Sequence, residues 1–478
     1  MSDNTMAYRP VTPAVANALA DIVGAPFVFY DDPERLEAFS HDEVPGLGHR
    51  RRPEAAVRPG SAAEIAAIVK LANRERIPVT PRGAGSGLSG GAVPVHGGIV
   101  IATDRLNRIL EIDRDNLTVT VEPGVVANDI NEALSDSGLF YAGYPMSLET
   151  CFIGGNLAEN AGGGKAIKYG VTSRYVLGLE VVTPTGDLVM LGGKLQKDVT
   201  GYNLLQLMIG SEGTLGIFTK AILKLIPRPR YQVDLLCLFP DSTTAIQTVP
   251  ALLTASGITP TSIEYMDRKA IQASCDYLNE SIPYENCGAM LLISIDGIDE
   301  AQLEHDYEII GKFCQEHGAG EIYVADNPST SERIWKIRRN IAEAYNVRFK
   351  RQSCEDIVVP PAAIAAIVQA IDAIGEKYQV SIPCYGHAGD GNLHCTVCGR
   401  EEWSEAEFEA RLREILAEIY AETVRFGGKI SGEHGIGSKR IGYMASTVRP
   451  EYLTLMRTIK QALDPNHIMN PGKIFELT

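Results

Sequence analysis

Apolar residues recur along this chain at helical and strand spacings, and the switches between the two mark the expected elements. AAVRPGSAAEIAAIVKLANRERIPVTPRG, from Ala55, reads as strand, helix, strand. Ile65, Ile68, Val69 and Ala72 share one helical face, and Ser61 with Glu64 three residues later forms a capping box. Residues 12–40 read as two short helices joined by a turn. GGIVIATDRLNRILEIDRDNLTVTVEPGVVANDINEAL continues with strands and then a helix, TVTVEPG alternating strictly up to a Pro-Gly turn. VLGLEVVTPTGDLVML reads as a hairpin turning at Thr185-Gly186-Asp187. Pro227 and Pro229 then mark a boundary. Beyond them the strands VDLLCLF, MLLISID and IYVAD alternate with helices over 244–256, 301–317 and 361–377, as in a layered α/β or α+β domain. A last helix over 449–463 leads to DPNHIMNPGKIF.

Composition narrows the partners. A chain of 478 residues supports two to three domains. A net charge of −16 disfavours nucleic acid and anionic membrane surfaces. MSDNTMAYRP has neither the basic nor the apolar region of a signal peptide, and no apolar run approaches membrane-spanning length. Nine scattered cysteines suggest reduced thiols and a cytoplasmic setting. Cys395 and Cys398 form a lone CxxC, read as two small apolar residues on or after a strand.

The stretch PRGAGSGLSGG, Pro81 to Gly91, holds five glycines. Glycine lets a backbone approach a ligand closely, and successive N–H groups make an anion-binding concavity, so the loop suits a phosphate or pyrophosphate. It lacks the Lys-Ser/Thr of a Walker loop. The G-x-G-x-x-G register from Gly85 to Gly90 is followed by AVPVHGGIVIATDRL, which reads as turn and strand rather than helix. Further glycines cluster at Gly154-Gly155, at Gly162-Gly163-Gly164 and in IGSEGTLGI.

CYGHAGDGNLHC carries a hairpin signal at Asp390-Gly391. With those two residues as the turn, His387 pairs directly with His394, and Tyr385 and Thr396 line the same face, so the histidines can share a metal. SGEHGIG adds Glu433 and His434. His387, His394 and Glu433 make a two-His, one-carboxylate set with open positions, suited to zinc, manganese or iron(II). IWKIRRNIAEAY places Arg338 and Arg339 on a helix, and an arginine matches a substrate carboxylate bidentately.

PRGAGSGLSGG, CFIGGNLAENAGGGKAIKYG, GSEGTLGI and NPGKIF together resemble the FAD-linked oxidases of the vanillyl-alcohol oxidase / p-cresol methylhydroxylase superfamily. CYGHAGDGNLH and SGEHGIG resemble its branch of D-lactate dehydrogenases, glycolate oxidase flavin subunits and D-2-hydroxyglutarate dehydrogenases. The resemblance implies an α+β fold. An FAD-binding domain of two subdomains would span 1–228, a substrate (cap) domain with an antiparallel sheet 229–425, and a returning segment 426–478, with the site between domains. It implies FAD contacts from Pro81, Arg82, Gly83, Ala84, Gly85, Ser86, Gly87, Leu88 and Ser89 around the pyrophosphate. Others come from Pro145, Ser147, Gly154, Gly155, Asn160, Tyr169, Gly170, Glu212, Ile217 and Asn470. The first loop has no histidine, so FAD is expected to bind non-covalently. The resemblance gives His387, His394 and Glu433 to the metal, makes His434 the general base, and favours Arg338 for the substrate carboxylate.

The implied reaction is oxidation of a D-2-hydroxy acid to the 2-oxo acid, with electrons passing to an electron-transferring flavoprotein, an iron–sulfur subunit or a quinone. Two departures bear on the substrate. The 2-hydroxyglutarate enzymes carry a lysine where CEDIVVP aligns Cys354, and tend to have an asparagine where Thr396 stands. Both changes favour a small monocarboxylate, D-lactate first and glycolate next, over D-2-hydroxyglutarate. The rival readings are a metal-dependent hydrolase, which leaves the glycine clusters unexplained, and a non-catalytic flavin relay subunit, which leaves His387, His394, Glu433 and His434 unexplained.

Overall fold

The computed structural model describes residues 8–280, 282 and 287–476. Its contacts separate two units: one runs to Ala161 and adds 171–227 and 434–478, and the other joins 162–170 to 228–433.

The first unit contains β1 (Val28–Tyr30), β2 (Ala55–Val57), β3 (Val79–Arg82), β4 (Ile99–Ala102), β5 (Ile109–Asp113), β6 (Thr118–Val121), β7 (Leu139–Phe140), β8 (Val176–Val182), β9 (Leu188–Gly192), β10 (Ile217–Lys224) and β11 (Ile226–Pro227). One sheet has the order β1-β2-β4-β3, with β4 parallel to both β2 and β3. A second, antiparallel, runs β5-β6-β10-β8-β9, and β7 pairs with β11. The helix Ala62–Glu75 links β2 to β3, and its face of Ile65, Ile68, Val69 and Ala72 is fully buried in the core. Ser61 caps it, its hydroxyl accepting from Glu64 N at 3.2 Å. The reciprocal half of the expected box goes elsewhere, since Glu64 accepts from Gly60 N at 2.7 Å. The stretch expected as two helices and a turn contains helices Pro13–Val23 and Pro33–Glu37 with β1 between them. The β8–β9 hairpin turns at Gly186, φ +78°, as its sequence requires.

The second unit is built on seven antiparallel strands: β12 (Tyr231–Phe239), β13 (Ser262–Asp267), β14 (Ala289–Gly297), β15 (Ile322–Ala325), β16 (Gln352–Val358), β17 (Cys384–His387) and β18 (Asn392–Cys398). Their order is β15-β12-β14-β13-β17-β18-β16. The helices Ser242–Ala255, Glu300–Glu316 and Ile364–Tyr378 match the expected spans. Cys395 and Cys398 are buried on β18 and form no disulfide among the described residues. No helix among the described residues is long and apolar enough to cross a membrane.

Two pieces of chain outside the expected 229–425 span pack with this unit. Residues 162–170 do so because Lys168 and Tyr169 both bind the buried Asp296 carboxylate on β14. Residues 428–433 do so because Lys429 and Val358 exchange backbone hydrogen bonds and Asp356 accepts from Gly432 N and Glu433 N, 3.0 Å each. The contact boundary therefore falls between Glu433 and His434.

Candidate active site

In the first unit the glycine clusters converge. β3 ends in Pro81 and Arg82 and releases the loop Gly83–Ser89. A Cβ on Gly83 would lie 3.5 Å from Gly155 N, and one on Gly213 would lie 3.0 Å from Pro81 Cγ. No backbone N–H from Gly83 to Ser89 finds an acceptor among the described residues. Seven consecutive amides left for an external acceptor fit a pyrophosphate. Asn470, φ +40°, closes this face. Its Nδ2 donates to Gly91 O at 3.0 Å and to Glu212 O at 2.7 Å, while its buried Oδ1 finds no donor among the described residues.

Carboxylates underpin the convergence. Asp42 accepts from Gly90 N at 2.8 Å. Glu212, φ +51°, accepts from Ile436 N at 2.8 Å and from Gly437 N at 2.7 Å, so it fastens the segment that follows His434. Glu159 accepts from Ser89 Oγ at 3.1 Å. Burial, with Glu212 close by, pushes the Glu159 carboxyl well above the usual range. Burial also lowers Lys473, whose Nζ donates to Val93 O, to about 8.

In the second unit the histidines meet with a register two residues from the expected one. His387 pairs with Asn392 and Tyr385 with His394, so the turn is Ala388–Gly391 rather than Asp390-Gly391 alone. Gly391, φ +90°, leaves no room for a side chain beside Val359 O. A two-residue shift keeps every side chain on its face, so His387 and His394 become diagonal neighbours with ring centroids 5.4 Å apart. Both Nε2 atoms point at one oxygen, Glu433 Oε1, at 3.2 Å each. Nitrogen and oxygen ligands at about 2.0–2.1 Å around a tetrahedral ion stand roughly 3.3 Å apart, so this donor set fits a divalent metal.

A carboxylate backs the His387 imidazole. Glu264, fully buried on β13, holds His387 Nδ1 at 2.6 Å, whereas Asp356 on β16 lies 3.9 Å from His394 Nδ1, beyond hydrogen-bond reach. A partner like Glu264 fixes the tautomer and ring orientation of His387. Asp356, His394, Glu433 and His434 each bring a possible ligand atom into one group whose atoms lie within 4.8 Å of one another. The Asp356 Oδ1 accepts from Asn392 Nδ2 and its Oδ2 from Ser431 Oγ, Gly432 N and Glu433 N, which fastens the segment leading to Glu433 onto β16. Burial opposes charge on these groups and paired charge outweighs it. In the metal-free protein His387, beside Glu264 and Glu433, is held well above the usual imidazole range, and Glu433 well below the usual carboxylate range. Gly164 packs on this pair, where a Cβ would sit 2.5 Å from Glu264 Oε1.

Arg338 lies on the helix Pro328–Arg339, 4 % exposed. Its Nε and Nη2 both approach Glu264 Oε2 at 2.7 Å, and the guanidinium stands 5.3 Å from the Tyr385 ring centroid. Arg338, Glu264, His387, Glu433 and His394 thus form one continuous polar chain. Arg339 pairs with Glu332 at the surface.

The other expected FAD contacts occupy varied places. Gly154 N donates to Pro123 O at 2.7 Å, and a Cβ there would lie 2.8 Å from Pro123 Cβ, so packing accounts for that glycine. Asn160 Oδ1 accepts from Ser173 N. Pro145 and Ser147 precede the helix Ile153–Glu159, Ser147 O accepting from Thr150 N and Cys151 N. Ile217 is a core residue at the start of β10. Tyr169 and Gly170 belong to the second unit, the Tyr169 hydroxyl bonded to Asp296. Glu264, Asp356 and Glu159 escaped the sequence reading. The available signal for the first two was an acidic residue inside an apolar strand, in SIEYMD and CEDIVVP.

With this geometry in hand, comparison with known proteins gives one family. Residues 53–192 match the FAD binding domain and residues 228–474 the C-terminal domain of FAD linked oxidases. The chain is 39% identical to the glycolate oxidase subunit GlcD of Bacillus subtilis over 97% of each chain. It is 38% identical to the D-lactate dehydrogenase of Anaerostipes hadrus over 98% of each. The solved structure of p-cresol methylhydroxylase with substrate bound superposes with a TM-score of 0.79 over 98% of each chain, at 19% identity. The chain therefore belongs to the FAD-linked oxidases, as an FAD-dependent oxidoreductase with the fold of p-cresol methylhydroxylase.

Proposed function

We propose that this protein oxidises a small D-2-hydroxy acid, D-lactate first and glycolate next, to the 2-oxo acid, with FAD held non-covalently. The observation that carries the reading is the convergence of His387 Nε2 and His394 Nε2 on Glu433 Oε1, 3.2 Å from each. His387, His394 and Glu433 hold a divalent metal. When bound, the metal would supply Lewis-acid activation of the substrate hydroxyl and FAD a two-electron acceptor for C2. Glu264 holds the His387 imidazole in place from its Nδ1 side. Arg338, its Nε side spent on Glu264, offers its remaining guanidinium N–H groups to the substrate carboxylate. A ring nitrogen of His434 takes the hydroxyl proton, a role suited to an imidazole whose ordinary pKa lies near working pH. The amides of Gly83–Ser89 take the pyrophosphate, and Asn470 closes over the flavin.

Relatives bearing the names of a glycolate oxidase subunit and a D-lactate dehydrogenase support this substrate class. Electrons leave to a flavoprotein, an iron–sulfur subunit or a quinone, in a cytoplasmic setting. Metal analysis tests the metal assignment. The purified protein is expected to hold about one divalent ion per chain, to lose D-lactate turnover on chelation and to recover it on adding zinc, manganese or iron(II). Full turnover in metal-free protein would overturn it.

A further inference from the structure

The second unit buries another carboxylate, Asp234 on β12, which is fully inaccessible. It accepts from Ser294 Oγ on β14, from Ser331 Oγ, from Trp335 Nε1 at 3.1 Å and from Gln232 Nε2 at 3.3 Å. No cation pairs with it among the described residues. A buried carboxylate satisfied only by neutral donors is expensive to keep, and hydrophobic packing of the same volume would cost less. Stability alone does not account for it.

Its partners indicate its role. Ser331 and Trp335 lie on the helix Pro328–Arg339, which also carries Arg338. Positions 331, 335 and 338 are spaced i, i+4, i+7 and share one helical stripe. That stripe meets two carboxylates of the sheet: Asp234 from β12 at its first two turns and Glu264 from β13 at its last. β14 lies between β12 and β13, so the two strands are about 9.6 Å apart. Residues seven apart on a helix are separated by about 10.5 Å. One straight helix can therefore be tied down at both ends without bending.

We propose that Asp234 is a positioning residue for Arg338: by fixing Ser331 and Trp335 it sets the helix on which the carboxylate-binding guanidinium stands. This rests on the reading of Arg338 as the partner of the substrate carboxylate. A carboxylate held equally in ground state and transition state affects KM rather than kcat. Misplacement of its holder should do the same.

The test is steady-state kinetics of the holoenzyme on the 2-hydroxy acid that reduces its flavin, with Trp335→Phe, Ser331→Ala and Asp234→Asn, each alone and in an Arg338→Lys background. Trp335→Phe keeps the ring and loses only the donor, so it remains informative if Asp234→Asn folds poorly. Trp335→Phe and Ser331→Ala are each expected to raise KM about tenfold, with kcat within about twofold and flavin content unchanged. In the Arg338→Lys background neither should raise KM further. Unaltered KM in these variants beside a raised KM in Arg338→Lys alone, or an equal further rise in the Arg338→Lys background, would overturn the proposal. Unaltered KM in Arg338→Lys itself would overturn the Arg338 assignment and this proposal with it.

Discussion

Cys354 on β16 and Thr396 on β18 face each other directly across the two strands, and Cys354 Sγ lies 3.7 Å from Tyr385 Oη. The two departures from the 2-hydroxyglutarate pattern are therefore one place in the structure. Both stand on the sheet face that carries His387 and His394, and neither offers a positive charge to a second carboxylate. Cys354→Lys would add one. The ratio of kcat/KM for D-2-hydroxyglutarate to that for D-lactate is expected to rise by about tenfold or more, measured in parallel assays with an artificial electron acceptor. An unchanged ratio would separate this corner of the sheet from substrate choice.

Glu264 joins the metal set to Arg338, with one oxygen on each. Glu264→Gln should leave FAD content intact and weaken metal affinity by roughly 10–100-fold, the usual cost of losing such an orienting partner. It should also raise KM, since Arg338 loses its counter-charge. Competition with a chelator measures the first effect and steady-state kinetics the second. Wild-type metal retention would show that His387 is oriented by something else.

Much of this arrangement is legible in the sequence. The helix Ala62–Glu75, the β8–β9 hairpin and the second-unit helices follow from periodicity and turn residues, because each is decided locally. The His387/His394 hairpin shows where local reading stops. Asp390-Gly391 invites a two-residue turn, yet the four-residue turn wins because β17 is already aligned on β13 and β18 on β16. Asp234, Glu264 and Asp356 were missed for the same reason: a charge inside an apolar strand signals that it has partners but not which ones. Likewise, nothing in the sequence around Glu212 announces that its carboxylate accepts from Ile436 N and Gly437 N, more than 200 residues away in the chain.

Asp267 gives a pH dependence of stability. Its carboxylate caps the helix Arg268–Leu278 by accepting from Ala270 N at 2.7 Å and also accepts from Cys384 N at 2.7 Å. Burial pushes its pKa up to about 6. The folded state then holds more protons than the unfolded chain between about pH 4 and 6, so this group's contribution falls as pH rises through that window and is lost above it. A shift of this size corresponds to roughly 2–3 kcal/mol. Relative to Asp267→Asn, wild-type Tm is expected to decline from pH 4 to 6 and then run parallel. Parallel curves throughout would contradict the shift.

His434→Asn should keep the flavin absorbance and the metal and abolish flavin reduction by substrate. Loss of the base from the transition state typically costs about 10²–10⁴-fold, read by anaerobic stopped-flow. Reduction within a few-fold of wild type would remove His434 from the proton transfer.

The central claim is tested most directly by an anaerobic absorbance scan of the purified protein before and after adding D-lactate, with L-lactate, glycolate and D-2-hydroxyglutarate in parallel cuvettes. The expected result is a flavin band bleached by D-lactate, less readily by glycolate, and left standing by L-lactate and D-2-hydroxyglutarate. Bleaching by D-2-hydroxyglutarate alone would contradict the substrate assignment, and a flavin band that none of the four acids bleaches would contradict hydroxy-acid oxidation itself.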